Sequence, residues 1–206
     1  MKQFFCIMTA IILSAAIAFA GDDSSKVTVT KASDSDKADK NTYQKRKADN
    51  PEIAIETDFG TMTLELFRDV APIHVDSMLS RIREKFYDGL IFHRVIDGFM
   101  IQAGQAGKPK YFLPAEFSKL KHVEGTLSMA RRGGDVNSAS TQFFICLAPA
   151  PHLNGQYTIF GQLMDGYDVL HKIGSVETGR GDRPLKDVYI RRMHILEDVK
   201  PEKPKK

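Results

Sequence analysis

Arg94 is the residue of this sequence whose surroundings point most directly to chemistry. It lies inside an apolar run within residues 90–104, and an Asp-Gly pair at 97–98 follows it, which is a strong signal for a β-hairpin. A guanidinium group keeps its proton in proteins and is rarely buried without a partner. Beyond the turn, Met100 and Gln102 share one strand face because strand side chains alternate. A cation, a thioether and an amide can thus converge on one surface, which suits a pocket better than a core.

The alternation of strand side chains assigns each residue of the hairpin to a face. We expect Phe92, Arg94 and Ile96 on one face of the first strand with Ile91, His93 and Val95 on the other, and Met100 and Gln102 on one face of the second with Phe99 and Ile101 opposite.

Other chemistries lack the residue patterns that they require. A serine nucleophile often lies in a G-x-S-x-G turn, and this sequence contains none. Cys146 is the one cysteine beyond the first 20 residues, and its apolar flanks predict a buried small hydrophobe rather than a reactive thiol. The six histidines are scattered singly, so no metal site is predicted. The Arg-Arg-Gly-Gly run at 131–134 matches no phosphate-binding loop, and we expect a solvated loop there.

The remaining possibility is a site that acts through shape and fixed dipoles. Arg94 supplies a planar donor that stays charged. The residues that can add an apolar cup are Phe99, Met100, Phe144 and Leu153, and the amides of Gln102 and Gln142 can hold a backbone. Such a site would bind a peptide with a bulky apolar residue and stabilise charge that shifts near it.

The elements that must position these residues are mostly short strands. Apolar patterns predict strands at 52–56, 61–66, 125–130, 142–147, 157–162 and 187–196 besides the hairpin, and helices from Pro72 to Asp88-Gly89 and at 166–174. About eight strands and two helices without βαβ alternation favour an antiparallel barrel or sandwich. The strand at 142–147 is apolar on both faces, and a closed barrel capped by two helices would cover both.

Composition divides the 206 residues into four segments. Residues 1–20 carry one lysine, an uncharged apolar run and an Ala-Phe-Ala cleavage pattern, which predict a signal peptide; an uncleaved membrane anchor is the alternative. Residues 21–50 are polar and predict a flexible linker, or else a partner-binding tail. We place the folded domain at 51–198 and a basic disordered tail at 199–206. The net charge of +3 does not imply a nucleic-acid partner.

Several motifs resemble those of one known family. The residues Phe92 to Gly104, Phe-His-Arg-Val-Ile-Asp-Gly-Phe-Met-Ile-Gln-Ala-Gly, resemble the signature of the cyclophilins, the cyclosporin-binding class of peptidyl-prolyl cis-trans isomerases. Further segments resemble cyclophilin motifs in the same order: Pro114–Phe117, Gly125–Arg131, Asn137–Ile145 and His152–Gly161. The resemblance covers residues 51–197 and implies a mainly β fold, a closed eight-stranded antiparallel β-barrel capped by two α-helices.

The resemblance also implies a role for each site residue. Arg94 becomes the catalytic arginine. Phe99, Met100, Phe144 and Leu153 form the proline pocket, Gln102 contacts the substrate backbone with help from Gln142, Ala130 and Arg131, and His152 and Tyr157 lie at the rim. Many family members have Trp in place of His152, His in place of Tyr157 and Asn in place of Arg131. Because an indole donor is missing, we expect only weak cyclosporin binding.

We therefore expect a peptidyl-prolyl isomerase that needs no cofactor or metal and acts on proline-containing polypeptides. The signal predicts an exported, periplasmic or secreted monomer that assists folding and keeps no membrane span after cleavage. A proline-binding module or holdase on the same fold is the alternative, although a binder has no evident need for a buried guanidinium. A structural surface protein that acts through its tails is a third interpretation.

Overall fold

The computed structural model of the chain describes residues 44–104 and 111–197. Within them lie eight strands and two α-helices: β1 Glu52–Thr57, β2 Gly60–Leu66, α1 Pro72–Arg83, β3 Phe92–Ile96, β4 Met100–Ala103, β5 Thr126–Met129, β6 Phe143–Cys146, β7 Ile159–Asp165, α2 Tyr167–Gly174 and β8 Ile190–Glu197. Short 3₁₀ turns occupy Pro151–Leu153 and Arg180–Asp182. The predicted signal peptide at 1–20, the linker up to residue 43 and the tail at 199–206 lie outside the described residues.

The eight strands form one antiparallel sheet with the order β3-β4-β6-β5-β7-β2-β1-β8. The sheet curls into a half-barrel, so the mainly β, cyclophilin-like fold is confirmed. Closure of the barrel is not confirmed, because β3 and β8 stand at the two ends of the ladder. The ends of these strands and the residues that lead into them are joined by an isolated bridge between Ile91 and Tyr189 rather than by a ladder. Three backbone hydrogen bonds accompany it: Gly89 N to Ile190 O and Ile190 N to Leu90 O, both at 2.8 Å, and Phe92 N to Val188 O at 3.0 Å.

The predicted hairpin forms, with a turn in which Phe99 N donates to Ile96 O at 3.0 Å. Its register contains an irregularity that alternation alone does not predict. Phe92 lies opposite Ala103 and Arg94 lies opposite Gln102, so two steps along β3 match one step along β4. This is a β-bulge, and the extra residue on the bulged strand changes which side chains share a face.

Three predicted face assignments are wrong. His93 does not share the face of Val95, because it is the extra residue of the bulge and bonds to Gln142 beside Gln102. Phe92 does not share the face of Arg94 and Ile96; it joins Val95 in the inner core, whereas Ile96 packs on the outer face. Phe99 does not share the face of Ile101, because it lies in the turn and packs with Met100 on the outer face.

Both helices contribute their apolar residues to the core inside the curled sheet: Val75, Met78, Leu79 and Ile82 from α1, and Val169, Leu170 and Ile173 from α2. Pro72 is the first residue of α1, as its sequence position predicts. The two carboxylate oxygens of Glu116 accept hydrogen bonds from Ile73 N and His74 N at 3.1 and 3.0 Å, which caps the start of the helix. The helix ends at Arg83, before the predicted Asp-Gly pair, because Lys85 adopts a left-handed φ of 56°.

The residues just before β1 are bound to the sheet, although the sequence assigns them to the linker. Glu65 on β2 is fully buried. Its carboxylate accepts hydrogen bonds from Arg46 N at 2.7 Å, from Lys47 N at 3.1 Å and from Asn50 Nδ2 at 2.6 Å. Because a buried carboxylate is costly without hydrogen bonds, these contacts tie residues 46–50 to the domain.

Candidate active site

The strand register places four side chains in one row across the outer face of the sheet. Arg94 on β3 lies opposite Gln102 on β4, and Gln102 lies opposite Phe144 on β6. Phe144 lies opposite Ser128 on β5. Directly opposed residues of antiparallel strands project to the same face. The row, which we call the outer row, therefore presents a cation, an amide, an aromatic ring and a hydroxyl group side by side.

A cavity of about 210 Å³ lies against the outer row. Nine of the predicted site residues line it: Arg94, Phe99, Met100, Gln102, Ala130, Arg131, Phe144, Leu153 and Tyr157. The other two adjoin it, since Gln142 accepts a hydrogen bond of 2.8 Å from Gln102 Nε2 and the ring of His152 lies 5.4 Å from that of Phe99. The structure thus brings the hairpin together with the distant segments at 130–131, 142–144 and 152–153.

The floor of this cavity is a small apolar cluster that is separate from the inner core. Met100, Phe144 and Leu153 pack there with Cys146 and Ala150, and all five are buried. Residues of the turn at 150–153, rather than a helix, cover this face of β6, which corrects the expectation of a helical cap. Burial raises the pKa of the Cys146 thiol to about 12. The prediction that this cysteine is a small hydrophobe is confirmed.

Arg94 is half-exposed rather than buried, and it forms an ion pair with Asp182. Its Nε donates to Asp182 Oδ2 at 3.1 Å, and the two side chains are 42% and 46% exposed. Asp182 closes the 3₁₀ turn Arg180–Asp182 with a left-handed φ of 60°. Among the described residues Asp182 is the hydrogen-bond partner of Arg94, so the two Nη groups stay available to a molecule in the cavity.

Two amides and an imidazole form a second polar group beside the cavity. Gln142 receives the hydrogen bond from Gln102 and also bonds to His93. Burial lowers the pKa of His93, although the bond to Gln142 opposes this shift. Gly104 follows β4 with a φ of 108°, and a Cβ there would lie 2.5 Å from Thr141 O. The absence of a side chain at Gly104 therefore lets the end of β4 lie close to the backbone of Thr141 and Gln142.

His122 lies behind the cavity floor. The ring is 1% exposed and stacks on Phe144, with centroids 6.1 Å apart and an interplanar angle of 11°. Its two ring nitrogens lie 3.1 Å from Asn154 Oδ1 and 3.1 Å from Ser128 Oγ. Burial lowers the pKa of His122, and the bond to Asn154 opposes this shift. The histidine thus joins β5, the turn at 151–154 and the aromatic floor.

Sequence reasoning did not find Asp182 or His122 as parts of this site. Asp182 meets Arg94 across 88 residues of chain, and His122 meets Asn154 across 32 residues. Neither residue belongs to a local motif, so no spacing signal in the sequence marks them. Within the described residues, no group of His, Cys, Asp and Glu is arranged to hold a metal ion, and no helix is long and apolar enough to cross a membrane.

Comparison with known proteins establishes the family. Residues 52–195 match the sequence model of the family described as cyclophilin type peptidyl-prolyl cis-trans isomerase/CLD. The chain belongs to the cyclophilins. The matched region contains every predicted site residue and the eight strands up to Ile195 in β8. The family resemblance of the Arg94 hairpin and the motifs that follow it is thereby confirmed.

Individual relatives of this cyclophilin agree with the family match. Peptidyl-prolyl cis-trans isomerase CYP18-1 of Arabidopsis thaliana is 40% identical over 153 residues, which cover 69% of this chain and 94% of that protein. Peptidyl-prolyl cis-trans isomerase-like 1 of Gibberella zeae is 36% identical over 156 residues, covering 71% and 95%.

The solved structures show the same fold. The crystal structure of a cyclophilin type peptidyl-prolyl cis-trans isomerase of Cryptosporidium parvum matches with a TM-score of 0.68 and 31% identity, covering 72% of this cyclophilin and 98% of that chain. Its crystal structure in the presence of the dipeptide Ala-Pro matches with a TM-score of 0.68 and 30% identity, covering 71% and 99%. Family, relatives and fold agree that this cyclophilin is a peptidyl-prolyl cis-trans isomerase.

Proposed function

We propose that this cyclophilin rotates X–Pro bonds without covalent chemistry and that Arg94 stabilises the twisted bond. The observation that carries the proposal is the place of Arg94 in the lining of the cavity, beside its apolar floor. Its Nη groups have no hydrogen-bond partner among the described residues, so they are available to a substrate.

The barrier to this rotation comes from amide resonance and amounts to about 18–20 kcal/mol. Twisting the bond breaks the resonance and leaves a lone pair on a pyramidal prolyl nitrogen. A donor aimed at that nitrogen stabilises the twisted state more than either planar state, which is the condition for catalysis. Arg94 can donate in this way throughout the reaction because a guanidinium keeps its proton.

Asp182 supports the proposal by fixing one edge of the Arg94 guanidinium. An ion pair between two partly exposed groups contributes about 0–1 kcal/mol to stability, so its main consequence is orientation. The bond at Nε holds the planar group and leaves the Nη donors for the substrate.

We assign the remaining residues by their chemistry. The proline ring would rest on the apolar floor of Phe99, Met100, Phe144 and Leu153, which excludes water from the ring. Gln102, with Gln142, Ala130 and Arg131, would hold the substrate backbone, and His152 and Tyr157 would border the entrance. The Cryptosporidium parvum cyclophilin was crystallised in the presence of Ala-Pro, which supports a proline-containing ligand for this chain.

We further propose that the protein is exported and assists the folding of exported polypeptides. Slow X–Pro isomerisation limits many folding reactions, and residues 1–20 have the sequence pattern of a signal peptide. N-terminal sequencing of the mature protein and cell fractionation test this part. A mature protein that starts at Met1 and stays in the cytoplasm would contradict it.

The proposed role of Arg94 is tested by the isomerisation rate of an Ala-Pro-Phe peptide with wild type, Arg94→Ala and Arg94→Lys. We expect Arg94→Ala to lower kcat/KM by about 10²–10³-fold, the usual loss when one donor to a transition state is removed. Arg94→Lys should recover only part of the activity, because an ammonium group lacks the planar pair of donors. Arg192→Gln, on β8 and outside the cavity lining, is the matched control and should change nothing.

The same assay separates the enzyme from a proline-binding module or holdase. Equal rates for wild type and Arg94→Ala would remove Arg94 from the mechanism. Peptide binding by wild type without turnover would favour the binding module instead.

A further inference from the structure

The guanidinium of Arg131 is held in a fixed position at the rim of the cavity. Its Nε donates to Gln156 O at 2.9 Å and its Nη1 donates to Arg132 O at 3.1 Å. Its Cζ lies 4.6 Å from the centroid of the Tyr157 ring. Tyr157 in turn packs edge-on against Phe144, with centroids 5.8 Å apart. Two carbonyls and a ring therefore orient this charge without neutralising it.

The other arginines near the cavity differ in this respect. Arg94 pairs with Asp182 at 3.1 Å, and Arg132 pairs with Asp135 at 3.7 Å. No carboxylate oxygen of the described residues lies within 4.0 Å of a guanidinium nitrogen of Arg131. The cavity lining contains two arginines and neither aspartate nor glutamate. A molecule in the cavity therefore lies next to the positive charge of Arg131, which has no carboxylate counterion among the described residues.

A fixed guanidinium with unused donors is a good receptor for a carboxylate. A guanidinium has five N–H donors in a planar arrangement that matches the two oxygens of a carboxylate. The two bonds of Arg131 to carbonyl oxygens leave donors free, and the arginine is already oriented, so binding costs less side-chain entropy than at a mobile arginine.

The position of Arg131 indicates where the carboxylate would lie on the substrate. Arg94 is on β3, Arg131 follows the end of β5, and β4 and β6 lie between these strands. Three strand spacings of about 4.8 Å separate the two strands by roughly 14 Å. An acidic side chain beside Arg131 would therefore belong to a residue one or two positions from the proline that Arg94 contacts.

We propose that Arg131 makes this cyclophilin prefer proline peptides with a glutamate or aspartate near the proline. The proposal rests on the proposed function, because it assumes that the substrate occupies the cavity beside Arg94. It adds a substrate class to that function: acidic X–Pro segments are bound and isomerised better than neutral or basic ones.

The test uses seven peptides with one proline each: one neutral alanine peptide, three with glutamate two positions before, one position before or one position after the proline, and their three glutamine counterparts. Each glutamine peptide is the control for the glutamate peptide of the same position. We expect kcat/KM for glutamate to exceed that for glutamine by about three- to fivefold at one position at least, as for a partly exposed ion pair. The ratio should fall as salt is raised, because salt screens exposed charges.

Variants then assign the preference to Arg131. In Arg131→Gln the glutamate-to-glutamine ratio should fall to about one, in Arg131→Lys part of it should remain, and in Arg192→Gln it should be unchanged. Equal values for glutamate and glutamine at all three positions, or a preference that persists in Arg131→Gln, would overturn the proposal.

The neutral peptide separates this proposal from the proposed function. If the wild type isomerises the neutral peptide but gives equal kcat/KM for glutamate and glutamine peptides, only the preference is refuted. Binding of the same peptides, measured by calorimetry, gives the glutamate-to-glutamine ratio independently of turnover, so the preference is decided even if the assigned role of Arg94 is wrong.

Discussion

Two rows of side chains cross the same four strands, one on each face of the sheet. The inner row consists of Val95, Ile101, Ile145 and Leu127, each at most 1% exposed. The outer row consists of Arg94, Gln102, Phe144 and Ser128. Along each strand the two rows differ by a single residue, so alternation alone sends one residue to the inner core and the next to the outer face.

The rows also differ in what holds them in place. The inner row packs against helices and neighbouring strands in one apolar core. The outer row is oriented by polar groups from loops: Asp182 on Arg94, Gln142 on Gln102 and His122 on Phe144. We therefore propose that the inner row sets stability, whereas the outer row and its loop partners set activity.

The largest expected effect separates the two rows at adjacent residues of β6. Ile145→Ala should lower the free energy of unfolding by about 2–5 kcal/mol, because it leaves a void in a closed core. The folded fraction should keep the wild-type kcat/KM. Phe144→Ala should cost less stability, since Phe144 already borders a cavity, but it should lower kcat/KM by at least about tenfold through loss of the proline pocket.

Urea unfolding and peptide isomerisation, measured on both variants, check this prediction. The comparison of the rows fails if Ile145→Ala lowers activity per folded molecule as strongly as Phe144→Ala does.

A smaller effect concerns the rim of the outer face, where His152 replaces the tryptophan of many cyclophilins. His152 packs beside Phe99 and lies outside the cavity lining. We expect weak inhibition by cyclosporin A, because the indole donor is missing. His152→Trp should tighten inhibition by up to about tenfold, the contribution of one hydrogen bond. Inhibition constants for both proteins decide the question, and nanomolar inhibition of wild type would contradict the prediction.

Asp182→Asn should have a still smaller effect, because it leaves Arg94 in place and changes only its orientation. We expect kcat to fall by about three- to fivefold with little change in KM, as for loss of a partly exposed ion pair. Asp182→Glu should restore part of kcat. In an Arg94→Lys background, which lacks Nε, the change at Asp182 should matter less. An equal loss in both backgrounds would show that Asp182 acts by another route.

Much of this arrangement follows from the sequence, and the exceptions have physical causes. Alternation and turn residues predict the strands, the hairpin turn and the two apolar faces of β6. The bulge between Phe92 and Arg94 is missed because it depends on pairing with β4 rather than on composition. The cover of β6 is misassigned for a similar reason, since residues 150–153 fold back onto it from a loop. Asp182 is missed because contacts across 88 residues leave no periodic signal.

The resemblance to the cyclophilins supplies what periodicity does not. Alternation places Arg94 on a strand, but it does not indicate that segments at 130–131, 142–144 and 152–153 complete the cavity. The motifs predict that meeting, and the structure brings the segments together. The closed barrel, by contrast, comes from the resemblance and from counting strands, and the hydrogen-bond ladder ends at β3 and β8.

Lowering the pH tests both faces of the sheet at once, and the resulting change in stability is the smallest of the effects that we predict. Burial lowers the pKa of three histidines: His74 at the start of α1, where Glu116 opposes the shift, and His93 and His122 beside the outer row. In the folded chain they stay neutral at pH values where the unfolded chain, with an ordinary pKa of 6.5, takes up protons. Their contribution to stability is therefore fully present above about pH 6.5 and is lost progressively below it.

Urea midpoints between about pH 7.5 and about pH 5.5, above the range where carboxylates titrate, measure this loss. Replacing His74 or His122 by Gln shows how much of this loss of stability comes from each face of the sheet. His74→Gln should flatten the pH dependence of stability while kcat/KM stays near wild type, because His74 contacts Glu116 and Phe160 rather than the cavity. His122→Gln should flatten it as well but also lower kcat/KM, since the stack on Phe144 is lost. If His74→Gln lowered kcat/KM as much as His122→Gln, activity would not belong to the outer face alone.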